Sequence, residues 1–382
     1  MTPDRSLIPE CKEIQRLLRP FSTVEVLRAA PSWPALRDRI ERLLDTMRWF
    51  TPDTPPGPPV DPERMRAVHW NIEHGNRYEQ VEHALLGHPQ LEQADVVLLN
   101  EVDLGMARSG NRDVAGELAA ALGLYGVWAP LFIETTIGRD DDPRAARDSH
   151  NEEALFGQAI LSRWPIGQAR VIELPSPDRE QFRHERMYGR HIGLIAPIER
   201  PGRPFVAVSV HLAVHRTRSL RALQMRTLLE ALQNEIRPVA LAGDFNSHTF
   251  DRGRPWDALF GALALLFLPH SPLERRLLRP DQGAAREPLF DVLRHYGFEW
   301  SGFVDRQPTL RLRLARLPEA RRVLRVVGRP GRAALARVEQ RAGLRLDWFA
   351  GRGWFEARGL TVRGLDGPGK ASDHAPIMAE LG

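Results

Sequence analysis

The 382-residue sequence predicts a mixed α/β domain preceded by a helical N-terminal extension. Three observations carry that prediction. Apolar runs of strand length recur from residue 65 onward, helical patterns lie between several of them, and a proline cluster separates both from the first 50 residues. Strands mixed with helices exclude an all-α or all-β protein.

Taken in order, residues 1–50 read as helical, with Ile40, Leu43, Leu44 and Met47 at three- and four-residue spacing in "WPALRDRIERLLDTMRWF". Residues 51–64, "TPDTPPGPPVDPER", carry five prolines between Thr51 and Pro59. They read as an extended linker, because proline has no backbone N–H to give to a helix or a ladder. The main domain, 65–382, supplies the strand signals "RAVHW", "ADVVLLN", "FGQAILS", "HIGLIAPI", "FVAVSVHL", "PVALAG", "LRLDWFA" and "APIMAEL". Between them "NRDVAGELAAALG", with Gly123 as its C-cap, and "RSLRALQMRTLLEALQ" read as helices. The alternation in "FVAVSVHL" predicts sheet faces of unequal burial, as in sheets stacked face to face. "WDALFGALALLFLP" reads as a core helix closed by Pro269, with a membrane-touching element as its alternative. The Arg- and Leu-rich segment at about 311–343 reads as a helical insertion.

A hydrophobic content of 42% is ample for a real core and excludes a disordered or fibrous chain. The longest apolar run, Ala258 to Leu268, is too short to span a bilayer, and "MTPDRSLIPECKEIQ" lacks the basic and apolar regions of a secretion signal. The expected location is cytoplasmic. The single cysteine, Cys11, cannot form an internal disulfide, which fits a reducing compartment.

The net charge of +4 is unevenly spread: twelve Arg face only Glu319 and Glu339 between Arg306 and Arg345. Such a segment suits phosphates, including a nucleic-acid backbone. Two facts weigh against nucleic acid. Lys occurs only at 12 and 370, so 51 of the 53 basic residues are Arg, a bias that genome composition also produces. The segment 306–345 also has no Phe, Tyr or Trp to stack on bases.

The chemistry is written at strand ends. "AVHWN" ends at Asn71, "DVVLLNE" at Glu101 and "VAVSVH" at His211. "ALAGDFN" presents Asp244 and Asn246, "LRLDWF" contains Asp347, and "GKASDHAPI" places Asp373 and His374 before the last strand. Side chains two apart on an extended chain point the same way, so Asp244 and Asn246 can aim at one spot, and strand ends converge at one rim of a sheet. Carboxylates and amides without a cysteine cluster suit a hard cation such as Mg²⁺ or Mn²⁺ better than Zn²⁺. Two histidines supply an acid and a base near neutral pH, and a buried Asp paired with one of them would fix its tautomer. Together these are the parts needed to attack phosphorus with water and stabilise the charge on its oxygens.

The ordered set "HWN", "LLNE", "GQAILSRWPI", "VHL" with "RALQ", "GDFN", "RLDW" and "SDH" resembles the endonuclease/exonuclease/phosphatase superfamily over roughly Met65 to Gly382. Each motif alone is weak, and the full set in this order is specific. The resemblance implies a four-layer α/β sandwich of two packed mixed sheets flanked by helices, with a metal-dependent phosphohydrolase site on one edge. It implies Glu101 as the main metal ligand, Asn71 beside it, and Asp373 on the same cation or a second one. It implies that His374, held by Asp347, contacts the scissile phosphate or activates water, and that Asp244 and Asn246 orient that water and bind phosphate oxygens. His211 is then an acid or a phosphate donor, and which histidine is the base stays open.

The substrate class also stays open, since shared motifs handle the phosphate while loops choose what carries it. A phosphodiesterase or nuclease leads, a lipid or small-molecule phosphoesterase is the alternative, and an inactive binding protein is the reading of another class. Every expected site residue being present speaks against the last. Among weaker candidates, Arg108 could clamp a phosphate and Arg163 belongs to a common signature of the superfamily, yet both have structural readings. Asn111 is expected to cap the following helix, His248 to be a solvated loop residue, and Asn151 to flank a strand. His69 and His74, five apart, are not expected to bind a transition metal.

Overall fold

The computed structural model describes residues 6–138, 142–146, 149–177, 179–182, 186–214, 216–248, 269–283, 286–311 and 343–382. In chain order the helices α1 (Ile8–Leu18), α2 (Val24–Ala29) and α3 (Trp33–Leu44) precede strands β1 (Arg48–Phe50) and β2 (Met65–Asn71). Then follow α4 (Tyr78–Gly87), β3 (Val96–Leu104), α5 (Val114–Leu122), β4 (Tyr125–Glu134), α6 (Asp142–Ala145), β5 (Leu155–Ser162), β6 (Arg170–Leu174), β7 (Glu180–Gln181), β8 (Met187–Gly189) and β9 (His191–Ile198). The chain continues through β10 (Phe205–His211), α7 (Arg218–Glu230) and β11 (Val239–Asp244), and through helices His270–Leu278 and Leu289–His295. It closes with β12 (Leu310–Arg311), β13 (Gly343–Leu344), β14 (Asp347–Arg352), β15 (Ala357–Thr361) and β16 (Ile377–Leu381).

Two mixed sheets pack face to face. The larger runs β15-β16-β2-β3-β5-β4-β8-β7 with β1 on β4, and the smaller runs β14-β11-β10-β9-β6. Period-two alternation sorts the larger sheet between two cores. Met65, Ala67, Val96 and Leu98 join the core shared with the smaller sheet, while Val68, Trp70, Val97 and Leu99 join the core under α4, α5 and the N-terminal helices. Leu228 and Leu229 of α7 and Phe290 cover the outer face of the smaller sheet, so helices, two sheets and helices make a four-layer α/β sandwich. This corrects the expectation of unequal burial in "FVAVSVHL": every residue from Phe205 to Val210 is buried, because helices close the face that alternation alone would leave wet.

The N-terminal segment departs from its all-helical reading at residues 48–50. Phe50 pairs antiparallel with Gly126, and a Cβ added there would meet the Phe50 ring at 2.9 Å, so the missing side chain makes room for the edge strand. Cys11, Ile14, Leu36 and Ile40 share one core with Trp70 and Trp128 of the larger sheet. Residues 51–64 form neither helix nor strand; the Arg163 guanidinium donates to the Gly57 carbonyl at 2.9 Å and Arg200 donates to that of Pro62. Among the described residues no helix is long and apolar enough to cross a membrane. The apolar run 256–268 and the bulk of the 311–343 insertion lie outside the described residues. The ends of that insertion do not: Arg311 pairs with Gly343 and Leu310 with Leu344.

Candidate active site

The strand ends gather as their register dictates. Parallel pairing sets His211 opposite Asp244, antiparallel pairing sets Asp244 opposite Asp347, and β16 enters the larger sheet beside β2 just after Asp373 and His374. Gly243 is needed for this: a Cβ there would lie 1.8 Å from the Val210 carbonyl oxygen, so only glycine lets β10 and β11 close up. Asn246 follows with φ of 47°, and its backbone N–H donates to Asp244 Oδ1 at 2.9 Å. Its amide donates to the Leu212 carbonyl at 2.9 Å, which ties the "GDFN" turn to the end of β10.

Glu101 reaches the site through a bulge. The β3–β5 register shifts between Asn100 and Val102, and Glu101 sits at φ 53°, a left-handed conformation uncommon outside glycine. Regular alternation would send its side chain toward the α5 core with Leu99; the bulge turns it to the rim instead. The Asn71 amide donates to Glu101 Oε1 at 3.0 Å and to Asp244 Oδ2 at 3.3 Å, linking the two sheets. Asn100 is fully buried between them, donating to Gln158 and Ser209 at 3.2 Å each and accepting the Asp244 N–H at 3.0 Å.

The second half of the site centres on Asp347. His374 Nδ1 lies 2.7 Å from Asp347 Oδ2, and His69 Nε2 lies 3.1 Å from Asp347 Oδ1, so one buried carboxylate holds two imidazoles. The Thr309 hydroxyl accepts the N–H groups of Leu346 and Asp347, and Ser372 donates to the Asn71 carbonyl while accepting the His374 N–H. With Nδ1 held, His374 turns Nε2 toward Asp244 Oδ2 at 3.8 Å, and His211 Nε2 lies 3.7 Å from the same oxygen.

These contacts shape the charges. Burial opposes ionisation of Asp347, but the charge of His374 and hydrogen bonds from His374 and His69 outweigh it and hold the carboxyl well below its usual range. Burial likewise opposes protonation of His374, yet Asp347, Asp244 and Asp373 raise it well above the ordinary imidazole value. Asp244 moves the other way: burial and the nearby Asp347 charge raise it, against His374 and His211. Glu101, despite burial, is held down to about 2 by His74, His211, the Asn71 hydrogen bond and His374. Glu73, in the turn after Asn71, is raised by burial and by the charges of Asp373 and Glu101. Glu101 and Asn71, joined at 3.0 Å, present oxygen donors at the rim, a donor type that fits a hard divalent cation. A buried group of Asp244, Asp347 and His374 offers three further ligand atoms within 4.8 Å of one another.

The structure thus brings Asn71, Glu101, His211, Asp244, Asn246, Asp347, Asp373 and His374 to one rim. It does not bring Arg108 or Arg163 into it. Arg108 is 2% exposed and spends its guanidinium on Asp103 and Glu134, beneath the site. Arg163 binds Asp95 at 2.7 Å, at the opposite end of β3 from Glu101. Asn111 does not cap α5, since the Asp113 side chain accepts the Gly116 N–H; Asn111 instead braces the loop through His150 and Glu152. His248 is buried and contacts the Val214 carbonyl at 3.1 Å rather than solvent. His69 and Asn100 were the omissions, and period two would have found both: His69 shares a strand face with Asn71, and Asn100 shares one with Val96 and Leu98.

The profile of the endonuclease/exonuclease/phosphatase family matches residues 68–374. The chain belongs to that family. Among solved structures it is similar to a family protein from Beutenbergia cavernae DSM 12333, at 17% identity and a TM-score of 0.50, over 83% of this chain and 71% of that one. A family protein from Leptotrichia buccalis C-1013-b is similar at 14% identity and a TM-score of 0.50, over 83% and 99%. A 3′ phosphatase from Neisseria, solved with a product DNA hairpin, is similar at 16% identity and a TM-score of 0.48, over 83% and 99%. At these identities the likenesses bear on the fold alone. No curated protein matches the sequence.

Proposed function

We propose that the protein is a divalent-metal-dependent phosphoesterase that cleaves a phosphoester by attack of water, acting on phosphodiesters such as nucleic acids. The observation that carries the reading is Asp347 holding His374 so that Nε2 faces Asp244, across the rim from Glu101. Glu101, Asn71 and Asp373 would hold the cation, Mg²⁺ or Mn²⁺, which when bound neutralises phosphate charge and polarises the phosphorus–oxygen bonds.

The side chains divide the remaining work by their charge. Asp244 is a carboxylate whose basicity burial and Asp347 raise, so it orients the attacking water and takes its proton. His374 is kept protonated by Asp347 and gives a charged N–H from Nε2 to a phosphate oxygen, where negative charge grows in the transition state. His211, opposite Asp244, donates to a second oxygen or to the leaving group, while the Asn246 amide holds the adjoining turn through the Leu212 carbonyl. The β12–β13 ladder supports the phosphodiester reading. Its strands are the described ends of the Arg-rich stretch of sequence, and Leu310 is bridged to His374, so that stretch leaves and rejoins the fold beside the site's histidine.

The test is turnover of bis-p-nitrophenyl phosphate, p-nitrophenyl phosphate, supercoiled plasmid and sphingomyelin with Mg²⁺, with Mn²⁺ and with chelator. Metal-dependent turnover that Glu101→Ala abolishes, fastest on the diester or plasmid, supports the proposal. Preference for the monoester replaces the diester class, preference for sphingomyelin keeps that class but replaces nucleic acid as the substrate, and metal-independent turnover refutes the proposal.

A further inference from the structure

Beneath the rim lies a layer of charged groups that the proposed reaction leaves unused. Arg108 Nε and Nη2 donate to the two oxygens of Asp103 at 2.9 Å each, and its Nη1 donates to Glu134 Oε2 at 3.0 Å. The Ser109 hydroxyl donates to Asp103 Oδ2 at 3.0 Å and that of Thr136 to Glu134 Oε1 at 3.0 Å. Asn151 pins the layer from the side, accepting the Ala107 N–H at 2.9 Å and donating to the Thr136 carbonyl at 2.8 Å. Asp103, Arg108 and Glu134 are all essentially buried. Apolar side chains of similar volume would serve the fold as well or better, because desolvating charges costs about as much as their pairing returns. Such a network therefore calls for a use.

Its upper end supplies one. His74 stands between Asp103 and Glu101, with Nδ1 3.6 Å from Asp103 Oδ1 and Nε2 3.4 Å from Glu101 Oε2. These are charge contacts, longer than hydrogen bonds. The ring meets Phe156 edge-on at 5.6 Å, and the backbone is held at φ 67°, a conformation that costs a non-glycine residue about 1 kcal/mol or more. Asn71 occupies Glu101 Oε1 and His74 flanks Oε2, so the carboxylate is braced from both sides.

We propose that His74 is a positioning residue for the cation site, seated on the Asp103–Arg108–Glu134 layer and holding the Glu101 carboxylate in the orientation that receives the metal. This rests on the reading of Glu101 as a metal ligand. It gives "NIEHG" and "EVDLGMARSG" a shared purpose, since the first carries His74 and the second carries Glu101 together with Asp103 and Arg108 of the layer on which His74 stands.

The test is Mn²⁺ titration by calorimetry into the full-length protein, stripped with chelator and dialysed, with melting temperature measured in parallel. His74→Ala is expected to weaken Mn²⁺ binding about 10- to 100-fold, the usual cost of losing a partner that orients a metal ligand. His74→Gln, which keeps a donor at similar reach, recovers most of the loss. Asp103→Asn serves as the second variant should His74→Ala not fold, and it is expected to weaken binding in the same direction. Unchanged or tighter Mn²⁺ binding in these variants, beside binding by the wild type, overturns the positioning role alone. Failure of the wild type to bind Mn²⁺ overturns the metal reading of Glu101 and this proposal with it.

Discussion

Asp347→Asn isolates the electrostatic part of the site, because asparagine has nearly the same shape and leaves the packing in place. The wild-type carboxylate is buried and receives two imidazoles, at 2.7 Å from His374 and 3.1 Å from His69. Hydrogen bonds to a charged acceptor contribute about 1.5–3 kcal/mol each against about 1 kcal/mol for neutral pairs. The substitution therefore removes about 1–4 kcal/mol of stability. The amide also presents N–H₂ to one imidazole, which must then offer a lone pair; His69, whose Nδ1 has no hydrogen-bond partner, can change tautomer more cheaply than His374. The larger effect falls on His374, which loses the neighbour that keeps it charged. An orienting aspartate lost from an Asp-His couple costs about 10²–10⁴ in rate, or about 3–5 kcal/mol of barrier. The assay is kcat on bis-p-nitrophenyl phosphate at saturating Mn²⁺, with urea unfolding measured separately. We expect kcat to fall at least a hundredfold, with KM changed little. A variant that keeps a tenth of wild-type kcat while folding normally would refute the coupling of Asp347 to catalysis.

Three further predictions follow from neighbouring groups. In chelator, the stability difference between wild type and Asp347→Asn should be largest between about pH 4 and 6.5, the unfolded values of the two partners. It should shrink as pH rises toward the raised His374 value, since the proton that His374 gains on folding is then lost, and also as acid protonates Asp347; urea midpoints across pH check both arms. Asn100→Ala, which strands the Asp244 N–H and takes the Asn100 donor from Gln158 Oε1 and Ser209 Oγ, should cost about 3 kcal/mol in urea unfolding and lower kcat by loosening Asp244. The Cys11 thiol, which burial and the nearby Glu153 and Glu10 charges push up to about 12, should resist Ellman's reagent in the native protein and react once per chain in guanidinium. Fast labelling of native protein would mean that α1 does not pack on the core as described.

The amino-acid sequence by itself determined the mixed α/β class, the strands that carry the site motifs, the order of those motifs and the family. Strand periodicity, glycine at the end of "ALAG" and paired polar residues at strand ends are local properties, and local sterics enforce them. That is why "GDFN", "RLDW" and "SDH" could be read as one site before any contact was known. Other features are decided by groups distant in the chain. Whether the outer face of β10 is wet depends on α7 and Phe290, not on the alternation within the strand. Whether Glu101 faces the rim depends on a bulge against β5. Arg108 has both a phosphate and a structural reading in the sequence, and its pairing with Asp103 and with Glu134, 26 residues away on another strand, decides for the structural one. In the sequence His69 comes into question only as a transition-metal ligand, because Asp347, the carboxylate it meets, is 278 residues away. Period and composition report which face a side chain occupies, while charge pairing across two sheets depends on distances that exist only after the sheets have packed. The rim could thus be named from sequence, and only the tertiary structure could show the layer of charges beneath it.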